Sequence, residues 1–466
     1  MTHPASTSSL SVNPTQPKNQ QIALHTPIPG PRSRALRVLE DETLAPGAQG
    51  YALRAGIVAD YARGSAVTDV DGNTFLDFIG GIAVNALGHS HPTFVDAVAT
   101  QVTKASAGTF ASLARVDLLQ RVRRLAPTPA ITKAQLYSGG SEAVESALRL
   151  AKSHTGKYEF VSCWGGFHGK TMGALSLMGS TFKHGLGPLV PGSHMVPYAD
   201  CYRCPLGLTY PSCGVACADV ARQQLKVTTA GAVAAFIVEP MQGTAGNIIP
   251  PKEFLPAMAS IAKEHDALFI ADEMITGFGR TGRMWGTDHS GVQPDIVTIG
   301  KAFGGGFPLT GVLTTDTIAQ AKPWSNESGS SSSYGGNALA AAAGAASLRI
   351  IEEERLVENS HVVGAKLLAE LLPFLERYPF VGLVTGAGML LRMELVTDKA
   401  SRTPLPRRVT HRLFDALVQA GLMTMAYSPH FRLQPALTLD EATAMNGVQI
   451  LRDVFDVMAA EKWHEQ

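Results

Sequence analysis

The sequence predicts an α/β protein built around a mostly parallel sheet. Two observations point there. Between about residues 105 and 345, short continuous apolar runs alternate with helical patterns. Polar residues suited to chemistry stand directly after several of those runs. Continuous apolar strands belong to sheets covered on both faces, and sites in such sheets gather at the carboxyl ends of the strands.

The expected strands cover 134–137, 160–163, 234–239, 267–272, 295–299 and 311–314, with helices between them at 141–154 and 251–265 among others. The flanks read differently. Residues 22–104 hold short turn-rich strands around Asp71-Gly72, then Gly80-Gly81 and a helix near 92–104. Beyond Ala340 comes a long helical stretch, followed by strands near 388–395 and 431–434. The expected organisation is therefore a disordered tail (1–21), a large domain (105–345), and a small α+β domain assembled from 22–104 and 346–466.

Composition narrows the class. With 466 residues, 45% of them hydrophobic, the chain supports a large core and more than one domain. Charged residues make up 17%, below the ~25% usual for soluble domains; a surface buried against a second copy, or a plain-surfaced monomer, accounts for that. Lys+Arg and Asp+Glu are 39 each, so neither nucleic acid nor an anionic membrane is an expected partner. No run approaches the ~18 apolar residues of a membrane span. The start of the chain is rich in Ser, Thr, Pro, Asn and Gln, without a signal-like apolar stretch, and five cysteines in this length make no disulfide scaffold. A cytoplasmic protein is expected.

Three segments carry chemistry. Ser138-Gly139-Gly140-Ser141 follows a strand and opens an amphipathic helix, where free N–H groups favour an anion such as a phosphate. Asp272-Glu273 ends a strand; an acid there suits a cationic ring nitrogen. Lys301 ends another, beside Gly304-Gly305-Gly306, and burial disposes a lysine amine towards Schiff-base formation. Taken singly, each has a structural reading as helix cap, loop acid or snorkelling lysine. Their occurrence together in this order favours the chemical one.

These segments resemble the class III aminotransferases, pyridoxal 5′-phosphate (PLP) enzymes of fold type I, from about Pro27 to Phe455. The resemblance also rests on Asp69-Val70-Asp71-Gly72-Asn73, Gly88-His89-Ser90-His91-Pro92, Trp164-Gly165-Gly166-Phe167-His168-Gly169, Glu239-Pro240-Met241-Gln242-Gly243 and Asp272-Glu273-Met274-Ile275-Thr276-Gly277-Phe278-Gly279-Arg280-Thr281-Gly282. It implies a seven-stranded-type sheet and an obligate homodimer, with pairing into tetramers left open. Lys301 would carry the cofactor as an internal aldimine and shuttle the proton, and Asp272 would pair with the pyridine nitrogen. Phe167 and Met274 would sandwich the ring, Gly140 and Ser141 would hold the phosphate, and Glu239 would line the pocket. Ser333 would reach the phosphate of the other subunit, and Arg432 would bind the substrate carboxylate.

Two departures bear on the substrate. Thr244 stands where many relatives acting on 4-aminobutyrate or ornithine carry an acid, and Ile275 where many carry glutamine. The expected activity is transfer of the amino group of an ω-amino acid, 4-aminobutyrate first, to a 2-oxo acid. A racemase or epimerase on the same scaffold is the alternative. No metal is expected, although Cys201, Cys204, Cys213 and Cys217 leave a tetrahedral zinc site open as a second reading.

Overall fold

Strand Val233–Val238 (VAAFIV) is buried at every position, and it lies inside a seven-stranded sheet. The computed structural model describes residues 16–466. In it the strands run in the spatial order Ile131–Tyr137, Thr310–Thr315, Ile296–Ile299, Leu268–Asp272, Val233–Val238, Glu159–Cys163, Ser193–Val196. Thr310–Thr315 is antiparallel to both neighbours, and the strands from Ile296–Ile299 to Ser193–Val196 are mutually parallel. All six expected strands are present. The seventh, Ser193–Val196 (SHMV), was not anticipated, because a short, partly exposed edge strand needs no apolar run.

Helix Gly140–Thr155 buries Ala143, Val144, Ala147, Leu148 and Ala151, the i, i+3, i+4 spacing of one face, and stops at Gly156 in the left-handed conformation. The fold class expected from sequence is the one observed.

The remaining sheets draw on both ends of the chain. Strands Ala66–Asp69 and Thr74–Asp77 form the hairpin expected at Asp71-Gly72. Its turn is held by Asp69 Oδ1, which accepts the N–H groups of Asp71 and Asn73 at 2.9 and 2.8 Å. Leu422–Met423 then adds in parallel beside Thr74–Asp77. A further sheet contains Val381–Ala387, Leu390–Asp398, Thr403–Pro404 and His430–Leu433.

The expected boundary after residue 345 falls inside helix Ala338–Glu353. Its Ala340, Ala341, Leu348 and Ile351 share one core with Phe75 and Leu422, so this helix is a spine common to both parts. Of the expected tail, residues 1–15 lie outside the described residues. Residues 16–21 are pinned to the protein: Gln16 donates to Leu87 O at 3.0 Å and the Gln20 N–H to Thr443 Oγ1 at 2.8 Å. Among the described residues no helix is long and apolar enough to cross a membrane.

Phe78 ties the two chain ends together. Its N–H donates to Met423 O at 3.0 Å, and its ring fills the space where a Cβ on Gly447, in helix Glu441–Ala460, would stand 2.2 Å away. Phe78→Ala is expected to lower the unfolding free energy by about 3–5 kcal/mol, read as a shift of the urea midpoint at unchanged slope.

Candidate active site

Strand Leu268–Asp272 delivers Asp272 to its carboxyl end, opposite Thr298 of the neighbouring strand. Thr298 Oγ1 donates to Asp272 Oδ1 at 2.9 Å, and the Met274 N–H to the same oxygen at 3.2 Å. The other oxygen, Oδ2, accepts from His168 Nδ1 at 2.7 Å, and both side chains are only 1% exposed. Burial alone would raise the Asp272 pKa, but the His168 hydrogen bond and charge, with Lys301 and Thr298 adding, hold it below its usual range. For His168 burial works towards the neutral form, and Asp272 overrides it and raises the imidazole. Both shifts favour the imidazolium–carboxylate form of the pair.

Lys301 stands just past strand Ile296–Ile299. Gly300 before it is extended, and a Cβ there would meet Met274 Sδ at 2.6 Å, so any larger residue would displace the Met274 side chain. Lys301 itself adopts φ 48°, a conformation costing about 1–3 kcal/mol that persists where surrounding packing imposes it. Burial lowers the Lys301 pKa; Asp272 and Glu239 oppose that shift.

Helix Gly140–Thr155 opens without a side-chain cap. Glu142 reaches back to the N–H groups of Ser138 and Gly139 at 3.0 and 3.3 Å, leaving the first helical amides for a ligand. Gly140, Ser141, Phe167, Met274, Asp272 and Lys301 all line one cavity of about 470 Å³.

The remaining expected residues, Glu239, Arg432 and Ser333, are not among the residues that line it. Glu239 is buried behind Phe167, accepting the Phe167 N–H at 2.9 Å and the Gly243 N–H at 3.0 Å; burial pushes its pKa up to about 7. Arg432 is 7% exposed and donates to Gly243 O at 3.1 Å. Burial lowers its pKa, with Tyr427 opposing. Ser333 is exposed and outside the lining of this cavity.

Two residues of the cluster were given no role from sequence. His168 sits in the quoted segment Phe167-His168-Gly169, which was its only signal. Thr298 had none, since its contact with Asp272 depends on strand register. Glu273 turns out to be structural. It accepts from the Gly286 and Thr287 N–H groups at 2.9 Å each and bonds the hydroxyls of Thr276 and Thr287. Cys201, Cys204, Cys213 and Cys217 line one small cavity as free thiols. Among the described residues, no three His, Cys, Asp or Glu side chains are arranged to hold a metal ion.

A phosphorylated pyridine aldehyde needs an anion site, an acceptor for a protonated ring nitrogen, a primary amine and a slot for a flat ring. The uncapped helix start, Asp272, Lys301 and the Phe167/Met274 walls meet those needs. The aminotransferase class-III family model matches residues 49–455. The chain belongs to the class III aminotransferases. Class III relatives include the 5-aminovalerate aminotransferase DavT of Pseudomonas putida, 35% identical over 86% of this chain and 94% of that protein. The 4-aminobutyrate aminotransferase GabT of Escherichia coli is 33% identical, over 86% of this chain and 93% of its own length. Among solved structures, an amine transaminase from an uncultivated Pseudomonas species, in its PLP-bound (internal aldimine) form, superposes with a TM-score of 0.84. It is 32% identical and covers 89% of this chain and 98% of its own. The cofactor is PLP.

The His168–Asp272 pair sets a pH dependence. Asp272, depressed, adds stability above its unfolded pKa and loses it as the pH falls through the folded value; His168, raised, adds stability below its unfolded pKa and loses it as the pH rises through the folded value. Both contributions coexist between about pH 4 and 6.5. His168→Gln is expected to cost about 3–5 kcal/mol there, a deficit that shrinks on either side in denaturant titrations across pH.

Proposed function

We propose that this class III aminotransferase takes the amino group of an ω-amino acid, 4-aminobutyrate first, and passes it to a 2-oxo acid, working in the cytoplasm as a homodimer or a pair of such dimers. The observation that carries this reading is one cavity joining a buried amine, a carboxylate held ionised and an uncapped helix start.

Bound PLP supplies the carbonyl that accepts the amino group and a pyridinium ring that withdraws electrons from the reacting carbon. Lys301 Nζ is the covalent anchor for the cofactor and the base that lifts and returns the substrate proton. Burial favours the neutral amine that both tasks require. Asp272 would accept the hydrogen bond of the protonated ring nitrogen, and His168 holds its carboxylate in place. Gly140 and Ser141 bind the phosphate through N–H groups and a hydroxyl. Phe167 and Met274 wall the ring, and Glu239 fixes the Phe167 backbone. Arg432 receives a substrate carboxylate. A buried guanidinium bonded to a carbonyl keeps further N–H donors to offer, and Thr244 beside Gly243 brings no competing charge.

Dimerisation is supported by large apolar side chains on the two segments that meet at Gly108 and Ser333: Phe110 is 83% exposed, Leu113 91% and Tyr334 75%. Burying this patch against a second copy would carry Ser333 towards that copy's phosphate site. The division into 22–104, 105–345 and 346–466 serves as a working description of the lobes, joined through the spine helix.

Three measurements test the reading. Lys301→Ala should lower turnover by about 10³-fold or more while PLP still binds, and Asp272→Asn by about 10²-fold; wild-type rates in either variant would remove that residue's role. In a half-reaction without any oxo acid, 4-aminobutyrate or 5-aminovalerate should convert the bound cofactor stoichiometrically to its aminated form, seen in the absorption spectrum. A cofactor left unchanged, while a single-enantiomer amino acid loses optical activity, would make the enzyme a racemase instead.

A further inference from the structure

Strands Leu390–Asp398 and His430–Leu433 pair antiparallel, with Arg392 opposite Arg432 and Glu394 opposite His430. Alternation sends Leu391, Met393, Phe431 and Leu433 into the core and turns Arg392, Glu394, His430 and Arg432 to the other face. Two buried guanidiniums on directly opposed positions, Cβ atoms about 5 Å apart, repel unless carboxylates neutralise them. Among the described residues, only Arg392 has them. Arg392 donates to Glu394 Oε1 from Nε at 2.9 Å and to both Asp200 oxygens at 3.4 Å, whereas Arg432 meets the carbonyl of Gly243.

Glu394 lies on this same face of the strand pair as both arginines. Glu394 is 0% exposed. Burial opposes its ionisation, yet the His430 hydrogen bond and the charges of Arg392 and His430 hold its pKa down at about 2. Oε1 is taken by Arg392 and by His430 Nδ1 at 2.6 Å; Oε2 is taken by Arg203 Nε at 2.9 Å. Arg203 comes from the cysteine-rich connection between strand Ser193–Val196 and helix Ala216–Thr228. That connection is docked on the C-terminal sheet: Arg203 donates to Arg402 O at 2.8 Å, and Arg402 lies over the Tyr202 ring at 5.0 Å. The position diagonal to Glu394 across the strand pair is Arg432, within reach of a long side chain.

We propose that Arg203 is a positioning residue for substrate selection: by occupying Glu394 Oε2 it keeps that carboxylate from capturing Arg432, whose N–H donors stay free for the substrate carboxylate. This rests on reading Arg432 as the carboxylate-binding group. Arg203 keeps 24% of its side chain exposed, so it can be replaced without emptying a fully buried position.

The test uses PLP-loaded, aminated enzyme with two acceptors of equal chain length, 2-oxoglutarate and pentanal, so that each preparation is its own control for folding. Arg203→Gln is expected to raise KM for 2-oxoglutarate by about fivefold to tenfold, with kcat and both pentanal parameters within about twofold of wild type. Arg203→Lys should recover part of the affinity. Adding Glu394→Gln to Arg203→Gln should return KM for 2-oxoglutarate towards wild type, because the competing carboxylate is gone. Equal losses with both acceptors, or no rescue in the double variant, would overturn the proposal. Arg432→Gln separates the underlying reading. If that variant leaves the 2-oxoglutarate/pentanal preference intact, Arg432 is not the carboxylate site; if it abolishes the preference while Arg203→Gln does not lower it, the proposal alone fails.

Discussion

A carboxylate that is 1% exposed and still ionised needs compensation on every side, and Asp272 has it: His168 at 2.7 Å on one oxygen, and Thr298 at 2.9 Å with the Met274 N–H at 3.2 Å on the other. The side-chain partners come from two segments far apart in the chain. His168 follows strand Glu159–Cys163, Thr298 sits within Ile296–Ile299, and Lys301 lies just beyond it. The pair can form only if these parallel strands hold their register and end at one level, so the sheet and the site are one constraint viewed twice. Glu239, at the end of the strand between them, extends the chain of contacts through Phe167 and Gly243 to Arg432.

The close approaches that make this possible are met by glycine. A Cβ on Gly243 would stand 2.6 Å from Ile275 Cδ1, and one on Gly300 the same distance from Met274 Sδ. The smallest residue thus lets Ile275 and Met274 sit against the strand ends that carry Glu239 and Lys301. Arg280, fully buried, secures the adjoining segment to the C-terminal sheet. It donates to the carbonyls of Met389 and Pro435, and its own carbonyl accepts the Met389 N–H at 2.9 Å. Burial lowers its pKa to about 9. Arg432 and Lys301, associated with different sheets, are held in fixed relation by these contacts.

The parts of the site legible in the sequence were those whose chemistry is tied to a local pattern. Lys301, Asp272 and the Gly140-Ser141 turn each follow an apolar strand, which announces both burial and a place at the sheet's active edge. His168 was visible as part of a segment but without a function, because its meaning comes from Asp272, 104 residues away. The boundary drawn at residue 345 divided a helix, since local composition does not reveal that Ala338–Glu353 belongs to a core drawn from both flanks. The cysteine-rich connection read as a metal question. In the structure its contribution includes two charged side chains, Asp200 and Arg203, delivered to another sheet.

The sequence by itself determined the α/β class, six of the seven strands of the central sheet and the helix that opens at Gly140-Ser141, and it singled out Lys301 and Asp272 at strand ends. Apolar periodicity, glycine placement and residue chemistry are local properties that survive without coordinates. Tertiary structure alone decided that Asp272 is ionised, that Glu239 sits behind Phe167 rather than in the cavity wall, and that Arg432 lies opposite a second arginine neutralised by its own acids. Ionisation and pairing depend on burial and strand register. Those are fixed only when segments far apart in the chain pack against one another.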